Sequence, residues 1–339
     1  MAALGMIVGA LLLLVMIAVS LVAGEISLSC QAVAQVIASH LGLPIWSDAV
    51  AVSALQDSVV WHYRLPRVMA AALGGGSLAL CGVVLQALLR NPLAEPYVLG
   101  LSAGASAGAV AVTVAGVAWG WALSAGAFAG AVAAFCVVML LAAHREGSAS
   151  QTLLAGIASS QLFNAIAACL MASSASAEQI RGLLFWLLGD LSAVRLSDVP
   201  WLAASAAMGL VVCLAVARPL DVLSLGERSA FALGIPVARL RYLLLALTAF
   251  MTALVVSRIG AIGFVGIVVP HLVRRWVGVR HRRRIPAAML LGAVFVVGAD
   301  LLSRTLMAAH SLPIGVVTAI VGAPVFALLL RQRSSARDT

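Results

Sequence analysis

Lysine is absent from these 339 residues; all 21 basic side chains are arginine, against 12 acidic ones. Without lysine there is no Walker-type Gly-Lys phosphate loop and no Schiff-base amine, so any ATP used must be hydrolysed by another chain. Charge of either sign is scarce, at 10% of residues where soluble domains carry roughly 25%. Together with 63% hydrophobic residues, that excludes an ordinary water-soluble fold: the solvent is lipid. The net charge of +9 would suggest a nucleic-acid partner in a soluble protein, but here the arginines sit between apolar runs, and no nucleic acid is expected. Five cysteines, Cys30, Cys81, Cys136, Cys169 and Cys213, show no C-x-x-C pairing. The four inside apolar runs read as small packing residues, not metal ligands or disulfide partners. An intramembrane enzyme lacks its signature, since there is no H-E-x-x-H and no persuasive Ser-His or paired-Asp arrangement. An ion-coupled transporter normally needs an acidic residue deep in a span; Asp300 alone comes close, near the end of an apolar run.

What is present is apolar length. Crossing about 30 Å of hydrocarbon takes about 20 helical residues, and uncharged runs of that kind recur about ten times. They lie near residues 4–23, 66–89, 96–114, 121–143, 150–174, 198–217, 240–258, 263–277, 286–305 and 313–331. The run from Met1 to Gly24 is uncharged and longer than the apolar core of a signal peptide, so it reads as a retained first span. Trp119-Gly120-Trp121 marks an interfacial turn inside the uncharged stretch Tyr97 to Ala143. The expectation is an all-α polytopic membrane protein, a single domain over residues 1–339.

Short loops that keep arginine face the cytoplasm. Arg274, Arg275, Arg280, Arg282, Arg283 and Arg284 follow the eighth span, and Arg331, Arg333 and Arg337 lie in the tail. The segment from Gly24 to Tyr63 has no arginine but carries Glu25, Asp48 and Asp57, as an exported loop should. Ten spans then put both termini in the cytoplasm of a bacterial inner membrane.

Gly100, Gly104 and Gly108 repeat at four-residue spacing, as do Gly126 and Gly130. Such bare faces allow close helix approach, for packing or for a sliding surface. Arg64-Leu65-Pro66-Arg67 enters the second span from outside, with Pro66 suited to a first helical turn. Its arginines either snorkel at the interface or dock carboxylates of a soluble partner. Arg90-Asn91-Pro92-Leu93-Ala94-Glu95-Pro96 is a sharp cytoplasmic reversal. Between spans six and seven, residues 223–236 form a short helix: Leu225, Phe231, Ala232 and Leu233 give it an apolar side, Gly234 caps it and Pro236 stops it. It is either an ordinary interfacial helix or a handle for a partner.

These motifs, with Leu225-Gly226-Glu227, Gly260-Ala261-Ile262-Gly263-Phe264-Val265-Gly266, Pro270-His271 and Leu312-Pro313-Ile314-Gly315, resemble the FecCD family in order from Arg64 to the C-terminus. That family comprises permease subunits of type II ABC importers for ferric siderophores, heme and vitamin B12. The resemblance implies the type II ABC importer permease fold, in a homodimer of ten-helix subunits with one path on the two-fold axis. It implies two copies of a cytoplasmic ATPase, which would bind the ATP and Mg, and a periplasmic substrate-binding protein. The chain itself would carry no cofactor and no catalytic residue. Residues 225–235 would be the coupling helix, with Gly226, Glu227, Arg228, Ser229, Ala230, Leu233 and Gly234 in a cleft of the ATPase, and Glu227 and Arg228 as its polar contacts. Arg64, Arg67 and Arg304 would dock the binding protein.

Gln161 and Asn164 stand in an otherwise small, apolar fifth span. They either line the path or bond to neighbouring helices. His271 invites a heme-ligand reading, but the family shows Pro-His whatever it carries, so its role is structural and no metal site is assigned. Because the family mostly handles iron, the expected cargo is an iron chelate, heme or ferric siderophore, with vitamin B12 as the alternative and an ion-coupled transporter as a remote one.

Overall fold

Hydrocarbon offers backbone amides no partner, so a chain this apolar must satisfy them internally, and it does so with helices. The computed structural model describes residues 2–24, 26–43, 52–117, 121–142, 149–174, 176–306 and 312–335. Glu25, Asp48, Trp119, Gly120 and Arg337, used above for topology, lie outside these described residues. In chain order the helices are α1 (Ala2–Val22), α2 (Cys30–His40), α3 (Ala54–Ser58), α4 (Leu65–Leu88), α5 (Leu101–Val114), α6 (Trp121–Ala142), α7 (Ala149–Ser174), α8 (Ala177–Leu187), α9 (Val199–Ala215), α10 (Ala217–Leu223), α11 (Glu227–Ala232), α12 (Val237–Ile259), α13 (Val265–Val277), α14 (His281–Thr305) and α15 (Ile314–Ser335). The expected spans correspond to α1, α4, α5, α6, α7, α9, α12, α13, α14 and α15. Among the described residues, seven stretches are individually long and apolar enough to cross a membrane; α5, α13 and α15 are not among them.

Pro66 stands in the first turn of α4, as expected, but that turn continues an earlier helix. Helical geometry runs unbroken from Ala54 to Leu88, with α3 passing into α4 through the π-helical stretch Val59–Arg64. Within a regular α-helix the proline ring would collide with the carbonyl four residues back; the wider π turn just before it relieves that clash. The segment expected as a plain exported loop also holds α2 and α3. Ser53 and Gln56 form a capping box at α3, and Ser176 and Gln179 repeat it at α8. This S-x-x-Q signal is legible in the sequence.

α4 runs through the middle of the bundle and is almost wholly buried. The four-residue glycine spacing brings helix backbones together. A Cβ at Gly104 would stand 2.3 Å from the Gly130 carbonyl oxygen, and one at Gly108 only 2.0 Å from that of Gly126. Gly100 serves differently, ending the turn Pro96–Leu99 with a φ of +74°. Cys81 and Cys213 are packed as expected, whereas Cys136 and Cys169 face outward from the chain, a correction to that reading.

Thirteen residues of α13 rise only about 20 Å, and the extended segment 260–264 before it makes up depth. Around it, the end of α12, the turn after α8 and the start of α15 are joined by backbone bonds. Asp190 N donates to Ile259 O, Ile314 N to Gly189 O and Gly315 N to Leu188 O, at 2.9–3.1 Å. Gly260 and Gly315, from two separate motifs of the family resemblance, thus meet around residues 188–190. Gly5 packs on the Trp276 ring, placing the start of α1 at the arginine-rich end of α13. His281 joins that end to α10 through Asp221, at 2.7 Å.

Candidate functional site

Three places gather the residues singled out in the sequence. The first is α11, held between Gly226 at φ +128° and Gly234 at φ +74°. Leu225, Phe231 and Leu233 are 80%, 80% and 69% exposed, an apolar surface with nothing in this chain upon it. Arg228, Ser229 and Gly234 are exposed beside them. Ala230 is buried, and Glu227 turns inward: its Oε1 accepts from Arg90 Nη2 at 3.1 Å and from Arg241 Nη2 at 2.5 Å. Of the residues expected in the ATPase cleft, Ala230 is thus packed within this chain, and Glu227 is bonded to two of its own arginines while its side chain stays 39% exposed. Two nearby arginines draw the carboxylate in, and helical phase carries Ala230 with it.

The second place is the opposite end of the bundle. Arg64, Arg67 and Arg304 come together there, but as buried groups engaged within the chain, not the free outward guanidinium groups the docking reading assumed. Arg64 donates to the carbonyls of Leu21 and Val22 at 2.8 and 2.7 Å, satisfying the open C-terminal turn of α1, and to that of Ile26. Arg67 Nε donates to Asp300 Oδ1 at 2.7 Å, and Arg304 Nε to Asp300 Oδ2 at 3.1 Å. Arg304 also reaches the Ala23 carbonyl and Ser20. The three guanidinium groups still line a crevice of about 100 Å³, with Gly24, Ile26, Val59 and Tyr63. Asp300, the one acid considered for ion coupling, is fully buried between two arginines.

The third is α7. Gln161 and Asn164 lie on its outward surface, alongside exposed Leu154, Ile157 and Leu162. They point away from this chain's own core.

Sequence reasoning missed a fourth set, the stitching of the 86–97 turn to the unwound segment before α13. Tyr97 Oη donates to Ile262 O at 3.1 Å and accepts from Ile262 N at 2.8 Å, while Gln86 Nε2 donates to Gly266 O at 3.1 Å. Burial pushes the Glu95 carboxyl up to about 7, against the pull of the Phe264 N–H. A lone Tyr or Gln carries no motif, so nothing in the sequence marked these. Among the described residues no three His, Cys, Asp or Glu side chains converge as a metal site would require, and His271 lies half-buried in α13 after Pro270.

The FecCD transport family profile matches residues 12–332. A cobalamin import system permease protein, BtuC, of Halobacterium salinarum is 40% identical over 276 residues, 81% of this chain and 74% of that one. A vitamin B12 import system permease protein, BtuC, of Klebsiella pneumoniae is 40% identical over 284 residues, covering 83% and 85% of the two chains. A transporter assigned to the metal-chelate ABC type, solved in an inward-facing conformation, superposes with a TM-score of 0.83 at 29% identity, over 96% of this chain and 98% of that one. With a profile match across nearly its whole length, and this helical bundle, the chain belongs to the FecCD transport family, as the membrane permease of an ABC importer of that type.

Proposed function

We propose that this permease carries a corrinoid of the vitamin B12 type, as one half of a homodimer in a bacterial inner membrane. What carries the substrate reading is the 40% identity, over four-fifths of the chain, to permeases named for cobalamin and vitamin B12 import. The iron-chelate expectation, which rested on how common iron is in the family, gives way to it.

The dimer reading is supported by α7. Amide side chains facing hydrocarbon are costly, so the outward Gln161 and Asn164 call for a second subunit or a polar path over them. At the end bearing α11, taken as cytoplasmic with both termini, Leu225, Phe231 and Leu233 fit an apolar cleft of an ATPase subunit. At the periplasmic end, the crevice between Arg64, Arg67 and Arg304 suits a carboxylate from a binding protein. A pair formed there would orient a partner more than hold it. Gating is alternating access, with ATP-driven closure below displacing α11 and tilting the helices about the axis.

The test is uptake by proteoliposomes holding this chain with its ATPase and binding protein, offered cobalamin, heme and a ferric siderophore in parallel. ATP-dependent accumulation of cobalamin alone is expected. Accumulation of heme or siderophore instead would restore the iron reading, and uptake driven only by an ion gradient would end the importer reading. For the coupling face, Phe231→Glu is expected to weaken ATPase co-purification about tenfold or more, as loss of a buried aromatic anchor does, while Arg228→Ala has little effect. Equal loss from both, or from neither, rules out an apolar anchor.

A further inference from the structure

The short helix α11 makes one bonded contact that reaches far from its place in the sequence. Its Glu227 carboxylate bridges Arg90, 137 positions away at the foot of α4, and Arg241, in the first turns of α12. Both guanidinium groups share the same oxygen, Oε1. Arg90 holds this position in the left-handed region, at φ +47°, a conformation a non-glycine residue adopts only where its surroundings hold it there. The turn that Arg90 opens is itself tied down. Asn91 Oδ1 accepts from Leu93 N at 2.9 Å, and Tyr97 then clasps both backbone groups of Ile262. Gln86, one turn of α4 before Arg90, holds the Gly266 carbonyl. A continuous series of bonds therefore runs from α11 through Arg90 and residues 86–97 to Ile262 in the unwound stretch 260–264 and to Gly266 in the first turn of α13.

That stretch is the one place in the described bundle where a long span gives way to extended backbone between left-handed Gly260 and Phe264. Unwound backbone inside a membrane bundle is tolerated where protein satisfies it, and it can repack without breaking a helix. We propose that Glu227 and Arg90 are positioning residues that transmit displacement of α11 to the 262–266 segment, and that Glu227 is not a contact to the ATPase. This rests on the importer reading and assigns an internal route within it.

Energetics favour a link over a staple. Arg90 and Glu227 are 48% and 39% exposed along their side chains. The Arg90–Glu227 pair so placed contributes little to stability, so Arg90→Gln should fold; Glu227 also holds Arg241, which is 7% exposed, and Glu227→Gln keeps an accepting oxygen for it. What the pair supplies is direction: when α11 moves, the turn after α4 moves with it.

The test uses the full transporter, permease with ATPase and binding protein, in proteoliposomes, with Glu227→Gln, Arg90→Gln and the double variant. Three quantities are read: ATPase co-purification, thermal stability, and substrate accumulated per ATP hydrolysed. Each single variant is expected to keep normal ATPase association and Tm, yet to lower substrate per ATP by about fivefold or more. The double variant should fall no further than either single one, the non-additivity of residues acting as one unit, and Glu227→Asp should recover part of the loss. Weakened ATPase association in Glu227→Gln would make this residue a partner contact and overturn the proposal. So would additive losses, or an unchanged ratio of substrate to ATP. If the wild-type assembly shows no ATP-driven uptake, the importer reading fails instead, which these variants cannot mimic.

Discussion

Asp300→Asn is expected to cost about 3–5 kcal/mol of stability, because it leaves two buried cations facing an amide. Asn is nearly isosteric with Asp, so no cavity opens and the loss is electrostatic. Asp300 is fully buried and receives Arg67 on one oxygen and Arg304 on the other. The Arg67 pair joins α4 to α14, and Arg304, one turn along α14 from Asp300, continues to the Ala23 carbonyl just past α1. Heating the detergent-solubilised protein and measuring the monodisperse fraction by size exclusion should show a large drop in midpoint. Replacing Asp300 by Leu together with Arg67 by Met should cost much less than Asp300→Asn, since removing both members of a buried pair leaves less uncompensated charge. A wild-type midpoint in Asp300→Asn would show that the carboxylate does not neutralise the cluster.

Gly82→Ala is the second large effect. A single methyl at that position would stand 2.1 Å from the Gly266 carbonyl oxygen and 2.7 Å from its Cα. Both are backbone atoms that no rotamer change can move aside, so α4 and α13 must separate. Overpacking of a rigid contact costs about 1–3 kcal/mol and sometimes more. Because Gly266 O is also the acceptor for Gln86, transport should suffer beyond the loss of folded protein. Gly182→Ala is the control: it lies on α8 with nothing within 4 Å of the added carbon. There the exchange should be neutral or stabilising by up to about 1 kcal/mol. If Gly82→Ala is as harmless as Gly182→Ala, the close approach of α4 and α13 is not part of the working structure.

The two substitutions show unequally legible features. Glycine spacing announced close helix contact, and the structure supplies it at Gly104 with Gly130 and Gly108 with Gly126. Nothing in the spacing said that Gly82 would meet Gly266, because that partner lies on a helix reached only after the 260–264 stretch. Arg64, Arg67 and Arg304 were legible as one group, and they do share one crevice. Their inward direction was not legible, since it follows from open carbonyls at the end of α1 and from a carboxylate 233 positions away from Arg67. At α11, the helix, its glycine brackets and its apolar side could all be read locally. Which groups of this chain would bond Glu227 could not, because Arg90 lies 137 positions away.

The sequence by itself determined the solvent, the helical class, the approximate place of each span and the family, because hydropathy, capping signals and motif order are properties of neighbouring residues. Tertiary structure alone decided which polar groups found partners within the chain, in the Asp300 pairs, the Glu227 bridge and the Tyr97 clasp, and which face outward, as Gln161 and Asn164 do. The physical reason is range. Partition into lipid sums over a local run of side chains, whereas an ion pair or a backbone clasp depends on which faces of distant helices meet, and in a bundle this rich in small residues many pairings are sterically open until all the helices are in place.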